Sequence, residues 1–195
     1  MFKNIFIFMF VFLFSISNCY SSTDYVEVSK IKFPKEKIIK GKLLKLNGVS
    51  IFKKLGILKV YVVGLYLEKK SNDSKEIIES EQIKYMITHY LTKKATSDKI
   101  SKGFIKLITE SNDENLIKEY KEQINKFKSW LDSDMGPGFF SETIYIPNSG
   151  LTLIYKEKKK GIIKGKIFAQ MYYRYNLGEK ADKGFKKGLL ELNQE

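Results

Sequence analysis

Apolar residues recur along the chain with two different periods, and those periods divide it into strands and helices. Ile57–Leu67 (ILKVYVVGLYL) is the strongest strand signal, with β-branched or aromatic residues at most positions and apolar character at nearly all. A strand with one wet face alternates, so this one is expected to be covered on both faces. Gly64 inside it marks a bulge or a close backbone approach. Leu43–Val49 reads as a second strand with Gly48 at a turn or bulge, joined to Ile57 through a tight connection at Lys53–Gly56. Ahead of it, Thr23–Lys42 is polar and alternating, a frayed lead-in or an early edge strand. Ile83–Leu91 (IKYMITHYL) is a further strand in which Tyr85, Ile87, His89 and Leu91 share one face.

Between and after these strands the period changes. Ser71–Ser74 is a turn, with a short helix over Lys75–Ser80. Thr96 offers an N-cap and Asp98 a favourable first-turn charge for a helix carrying Ile100, Phe104, Leu107 and Ile108. Ser111 or Asn112 opens another, whose stripe is Ile117, Tyr120, Ile124, Phe127 and Leu131 and which Gly136-Pro137-Gly138 stops. Three strands follow, at Glu142–Ile146, Leu151–Lys156 and Gly161–Lys166, with turns at Pro147–Gly150 and at the lysine run Lys158–Lys160. A helix over Ile167–Tyr175 presents Phe168, Met171, Tyr172 and Tyr175 and ends at Gly178. A last one near Asp182–Leu192 buries Phe185, Leu189 and Leu192. Segregated blocks of this kind define an α+β fold with helices layered on an antiparallel sheet. No repeat or linker interrupts residues 23–195, which read as one domain.

Residues Met1–Ser22 differ from the rest. Lys3 is followed by ten uninterrupted apolar residues, Ile5–Phe14, and then by small residues at Ser15, Ser17, Ser21 and Ser22. The run is short for a spanning helix, and the pattern is that of a secretory signal peptide. A secreted or periplasmic protein is therefore expected. Lipidation at Cys19 is the lesser alternative, because Asn18 is a poor residue in the small position before it.

Charge and composition then exclude several classes. The chain has 195 residues, 35 basic against 22 acidic, and a formal net charge of +13. That balance invites nucleic acid or an anionic membrane as partner. Arg174 is the only arginine, however, and base readout and bidentate phosphate contacts favour guanidinium. The lysines are scattered and no nucleic-acid motif is present, so nucleic acid is set aside and weak association with an anionic membrane is retained. One cysteine, Cys19, and one histidine, His89, leave no thiol or imidazole set for a metal, and no cofactor is expected. No phosphate loop, dinucleotide fingerprint, nucleophile elbow or zinc-protease motif occurs. His89 reads as a hydrogen-bonded sheet histidine, and Asp132 with Asp134 as solvated loop charges. More informative is Tyr61, within the best-covered strand, whose hydroxyl must find a partner or face a cavity. Met171, Tyr172 and Tyr175 are placed to line that cavity from the opposite layer.

Val49–Leu67 (VSIFKKLGILKVYVVGLYL), His89–Phe104 (HYLTKKATSDKISKGF) and Leu177–Leu190 (LGEKADKGFKKGLL) together resemble the chalcone isomerase-like family, in its secreted bacterial branch, over roughly Gly41–Leu192. The resemblance implies an open-faced β-sandwich, a large antiparallel sheet backed by helices. In that family, enzymes cyclise chalcones without a cofactor, and relatives hold a fatty acid in the same cleft. By the resemblance, the enzyme's strand threonine falls at Tyr61, its helix-start tyrosine at Thr96 and its helix asparagine at Gly103. A polar residue of the C-terminal helix falls near Tyr175. The arginine that steadies an anionic ligand falls near Phe52, with Lys53, Lys54 and Lys59 as adjacent cations.

The catalytic set is thus unmatched and no catalytic residue is assigned. The expected function is non-catalytic binding of a hydrophobic, anionic small molecule such as a fatty acid. Tyr61 would donate to its head, Lys53 or Lys59 would offset its charge, Thr96 and Tyr175 would stand at the enzyme's polar positions, and Met171 and Tyr172 would line the tail channel. The alternatives are an intramolecular lyase of the chalcone isomerase type and an envelope protein that binds partners through its basic surface.

Overall fold

The computed structural model describes residues 24–190; the expected leader and Leu192 lie outside them. Strands β1 (Tyr25–Val28) and β2 (Ile31–Pro34) form a hairpin of their own. The large sheet is an antiparallel meander of seven strands in chain order: β3 (Glu36–Ile39), β4 (Lys42–Lys54), β5 (Leu58–Leu67), β6 (Lys84–Tyr90), β7 (Phe140–Ile146), β8 (Gly150–Tyr155) and β9 (Lys158–Lys164). The helix α1 (Ser74–Glu79) joins β5 to β6. From β6 to β7 the chain passes through α2 (Ser97–Glu110), α3 (Glu114–Glu119) and α4 (Lys121–Ser129). Helices α5 (Lys166–Leu177) and α6 (Lys183–Leu190) follow β9. The α+β class and the large antiparallel sheet with helices are those the sequence implied.

Strand β5 is buried on both faces, as its continuous apolar run requires. Val63, Leu65 and Leu67 enter the main core, which is completed by Phe104 and Ile108 of α2, Phe127 of α4 and Phe168, Tyr172 and Tyr173 of α5. Val62 and Tyr66 point the other way, into a second cluster with Phe33, Leu44, Leu46 and Tyr85. The β1–β2 hairpin supplies Phe33 to that face. Gly64 is the reason the ring can sit there, because a Cβ at this position would lie 2.6 Å from Phe33 Cδ1. The expected close approach is therefore made by a side chain. Tyr85 finds its polar partners on this face as well: its hydroxyl donates to Glu142 Oε1 at 2.5 Å and accepts from Lys37 Nζ at 3.0 Å.

Three expectations are corrected. Thr23–Lys42 holds three strands, with two-residue turns at Ser29–Lys30 and Lys40–Gly41 in which every residue has positive φ. The lysine run Lys158–Lys160 is strand, and the turn is Lys156–Glu157, also with positive φ at both positions. As the last strand of the sheet, β9 leaves Lys158, Lys159 and Lys164 in solvent, where charge on an edge is favourable. The helix expected after Ser111 breaks at Tyr120, where φ −97° and ψ 18° end α3 and start α4. His89 packs between the rings of Phe33 and Phe140, each at 5.6 Å. Asp132 accepts from Lys160 at 2.7 and 2.8 Å, and Asp134 accepts from the Ser97 amide at the start of α2 at 2.8 Å, so these loop carboxylates hold structure.

Lys84 is 1% exposed. Its ammonium donates to the carbonyls of Ser80 (2.7 Å) and Ile78 (3.3 Å) at the carboxyl end of α1, where the helix dipole favours a cation. It also lies over the rings of Tyr145 and Tyr173, at 4.8 and 5.2 Å. Burial pushes its pKa down to about 8 from an ordinary 10.5, against an opposing pull from Glu81. Between those values the unfolded chain holds a proton that the folded protein has released, so this group makes stability rise with pH across that window. Above about pH 9 the net sign reverses, because the unfolded chain begins to ionise its tyrosines there while nine with raised pKa keep their protons in the fold. We expect unfolding free energy, measured by urea titration, to rise by roughly 0.5 kcal/mol from pH 8 to 9 and to fall beyond it. In Lys84→Met the rise should vanish.

Candidate functional site

The register of β5 and β6 sets Tyr61 opposite Tyr90, and both rings face the helical layer at the same end of the sheet. Tyr61 stacks on Phe52 of β4 with centroids 4.9 Å apart and stands edge-on to Tyr90 at 6.0 Å. Phe185 of α6 closes this group, edge-on to Tyr61 at 6.1 Å and to Phe52 at 6.3 Å. From α5, Tyr172 and Tyr175 are one turn apart, with rings 4.9 Å from each other. Thr143 Oγ1 of β7 donates to the Tyr172 hydroxyl at 3.3 Å. Among the described residues no hydrogen bond ends on the Tyr61 hydroxyl.

Burial is the first cause of a raised pKa at every one of these phenols. Tyr90 is pushed up to about 12, Tyr61 and Tyr172 are raised, and Tyr175 is raised well above the ordinary value. Neighbouring phenols add to the effect at Tyr61, and so does the negative charge of Asp182. A phenol held neutral across the physiological range donates hydrogen bonds and does not serve as a base. Arg174 lies on the same helix, but its guanidinium donates to Asn112 Oδ1 at 3.0 Å at the end of α2.

Of the residues singled out in the sequence, Tyr61, Tyr172 and Tyr175 come together; the charge of Tyr61 is felt at Tyr175. Met171 is fully buried in the same core, and its carbonyl accepts from Asn112 Nδ2 at 3.1 Å. Lys53 and Lys59 are brought to each other, because the register pairs them across β4 and β5. Both are exposed. The shift in register beyond Phe52–Tyr61 inserts Val60 as an extra residue on β5, which breaks the alternation that would otherwise return Lys59 to the face of Tyr61. Thr96 spends its hydroxyl on α2, accepting from the Lys99 amide at 3.4 Å as N-cap.

Sequence reasoning did not single out Tyr90, Phe185 and Asp182. Tyr90 belongs to the opposite phase of β6 from Tyr85, Ile87, His89 and Leu91, and that phase, with Met86, is the one facing the helices. Alternation alone gave two faces and no means of telling which was inner.

Phe185 is positioned by the seating of α6 on β4. Asp182 Oδ1 accepts from the Phe185 amide at 2.8 Å and starts the helix. The bulged residue Asn47 is buried and joins three elements: its Nδ2 donates to the Leu189 carbonyl at 2.8 Å and its Oδ1 accepts from the Ser71 amide at 2.9 Å. Next to it, a Cβ on Gly48 would overlap the Gly188 carbonyl oxygen and lie 2.7 Å from that of Leu189. On the helix side, a Cβ on Gly188 would lie 2.7 Å from Ser50 Oγ. Backbone cannot yield as a flexible side chain does. Gly48→Ala is therefore expected to cost roughly 2–3 kcal/mol in denaturant unfolding, and Gly188→Ala a similar amount, since its Cβ would also lie 2.9 Å from the Val49 carbonyl oxygen.

The profile of the chalcone isomerase-like family matches residues 25–191, and the chain belongs to that family. A search of curated proteins returns no match. Among solved structures, a crystal structure of a fatty-acid binding protein from Arabidopsis thaliana superposes with a TM-score of 0.69 at 15% sequence identity, over 86% of this chain and 96% of that one. At that identity the likeness is one of fold.

Proposed function

We propose that the protein is a non-catalytic carrier, working outside the cytoplasm, of a hydrophobic small molecule with an anionic head such as a fatty acid. The observation that carries this reading is the Tyr61 hydroxyl. It is a neutral donor among aromatic rings, with no hydrogen-bond partner among the described residues, at the place where sheet, α5 and α6 meet. Phe52, Tyr90 and Phe185 offer apolar surface for the first part of a tail, worth about 25 cal/mol per Å² buried. Rotation of the Phe185 ring would admit the ligand, and the exposed Lys53 and Lys59 would supply counter-charge at the end of the strand pair.

The absence of a catalytic role is supported by the same groups. Ring closure through a phenolate needs a cation fixed beside the attacking oxygen and a donor for the developing enolate. Phe52 stands near the arginine position, Arg174 is held by Asn112, and the charge felt at Tyr61 is the negative one of Asp182. The leader composition supports export, and the solved fatty-acid binding relative supports a hydrophobic ligand in this fold.

Native mass spectrometry of the full-length protein titrated with oleic acid tests the proposal. A one-to-one complex is expected, and Tyr61→Phe should weaken it by about fivefold to tenfold, the worth of one hydrogen bond. Asp182→Asn keeps a helix cap while removing the opposing charge, so it should tighten oleate severalfold and leave oleyl alcohol unchanged. A protein that takes up neither ligand would refute the carrier; equal effects of Asp182→Asn on both would refute the anionic head.

A further inference from the structure

The antiparallel register brings four connections to one end of the large sheet: the β4–β5 tip at Leu55–Ile57, the segment after β6, the segment before β7 and the β8–β9 turn. That end carries four of the seven large apolar residues that are exposed among the described ones. Leu55 is 89% exposed, Ile57 88%, Phe139 47% and Leu58 37%. Leu55 also has positive φ, 53°, at the apex of the tip. Scattered apolar residues on a surface need no explanation, but nothing among the described residues covers this branched aliphatic pair at the apex of a hairpin.

Lysines outnumber carboxylates at this end, and the tip itself carries lysines alone. The tip reads Lys53-Lys54-Leu55-Gly56-Ile57-Leu58-Lys59, with three lysines flanking three aliphatic residues. Lys93 and Lys94 follow β6, and Lys156 stands over the ring of Phe139 at 4.2 Å. Of the carboxylates in the four segments, Asp132 is paired with Lys160 and Asp134 accepts from the Ser97 amide, which leaves Glu157. Among the described residues, Lys53, Lys54 and Lys59 form no ion pair. Aliphatic side chains ringed by ammonium groups suit a surface with an apolar interior beneath an anionic layer. An acidic protein would match the lysines and leave Leu55 and Ile57 uncovered. Among the described residues no helix is long and apolar enough to span a membrane, so the contact made by this part of the chain is peripheral.

We infer that this end of the sheet docks on an anionic lipid bilayer, with Leu55 and Ile57 entering the interface and Lys53, Lys54 and Lys59 against lipid phosphates. The inference stands apart from the carrier reading, since it needs no ligand. Should both hold, Tyr61 and Tyr90, at the same end of their strands, face the surface from which an acyl chain would come.

The test places a reporter at the apex. Full-length Ile57→Trp is mixed with vesicles of brominated phosphatidylcholine, with or without phosphatidylglycerol, and quenching is read against the wild-type protein, whose Trp130 gives the background. All variants share residues 1–23, so differences report the tip alone. Phosphatidylglycerol vesicles should quench and blue-shift the added tryptophan, and high salt should reverse this. Each lysine near an anionic surface is worth roughly fivefold in partitioning, so Lys53→Gln/Lys54→Gln/Lys59→Gln in the same background should lower it by about a hundredfold. Unchanged thermal midpoints, expected at sites this exposed, will show that the variants fold. Absence of added quenching, equal quenching on pure phosphatidylcholine, or full partitioning of the triple variant would each overturn the inference. So would binding of the tip to an acidic protein with no response to vesicles.

Discussion

Burial of β5 on both faces is the constraint from which the rest of the structure follows. From Val62 to Leu67 the strand has no polar side chain apart from the Tyr66 hydroxyl and borders water on neither side, so its neighbours must supply two separate covers. On one side the chain provides helices, inserted between β5 and β6, between β6 and β7, and after β9. On the other it provides a hairpin that exists as a separate two-stranded sheet and contributes Phe33 over Gly64. The first cover is deep and the second is local, which gives the sheet one fully layered face and one partly open one. Several polar groups caught beneath these covers are tied to partners: Asn47 to two backbones, Lys84 to two carbonyls, Tyr85 to Glu142. An unpaired buried polar group would cost about 1–3 kcal/mol, so these ties are part of the cover.

Much of this was legible in the sequence because hydrophobic period is strong where burial is one-sided or complete. The β5 run, the Thr96 cap, the α2 stripe and the phenols of α5 all follow from spacing, and the family resemblance rests on the same stretches. Where the reading failed, the deciding physics was local and weakly encoded. The turns Ser29–Lys30 and Lys156–Glu157 place non-glycine residues at positive φ, where Asn-Gly or Asp-Gly would have announced a hairpin. Such residues are disfavoured there by roughly 1–2 kcal/mol each, and the paired strands on either side hold them. Nothing in Ser-Lys or Lys-Glu says so.

The candidate site was half legible for a related reason. Tyr61, Tyr172 and Tyr175 were found because a phenol in an apolar element stands out. Tyr90 was hidden by a strand in which both phases carry aromatic or aliphatic residues, so that only tertiary structure tells inner from outer face. Lys59 is a position that spacing alone does not place. Period two puts it beside Tyr61, but one inserted residue, Val60, changes the register and leaves the ammonium paired across the strands with Lys53. A bulge is invisible to periodicity because it is a single departure from it.

The arrangement of charge bears on what chemistry this interior permits. Thirteen net positive charges lie on the whole chain, yet the charge felt at the Tyr61 phenol is the negative one of Asp182, and the sole guanidinium is engaged by Asn112. A dry site with no fixed cation beside it raises every phenol in it, so the same burial that makes the site apolar also removes its bases. Neutral donors recognise a head group by geometry, and apolar rings recognise a tail by area, but neither lowers a barrier that depends on developing charge. Apart from Lys84, buried at the opposite end of β6, positive charge lies outside and away from these phenols, which is consistent with attraction of an anionic surface or ligand. The division follows from where the lysines can remain solvated, which is at strand ends and turns.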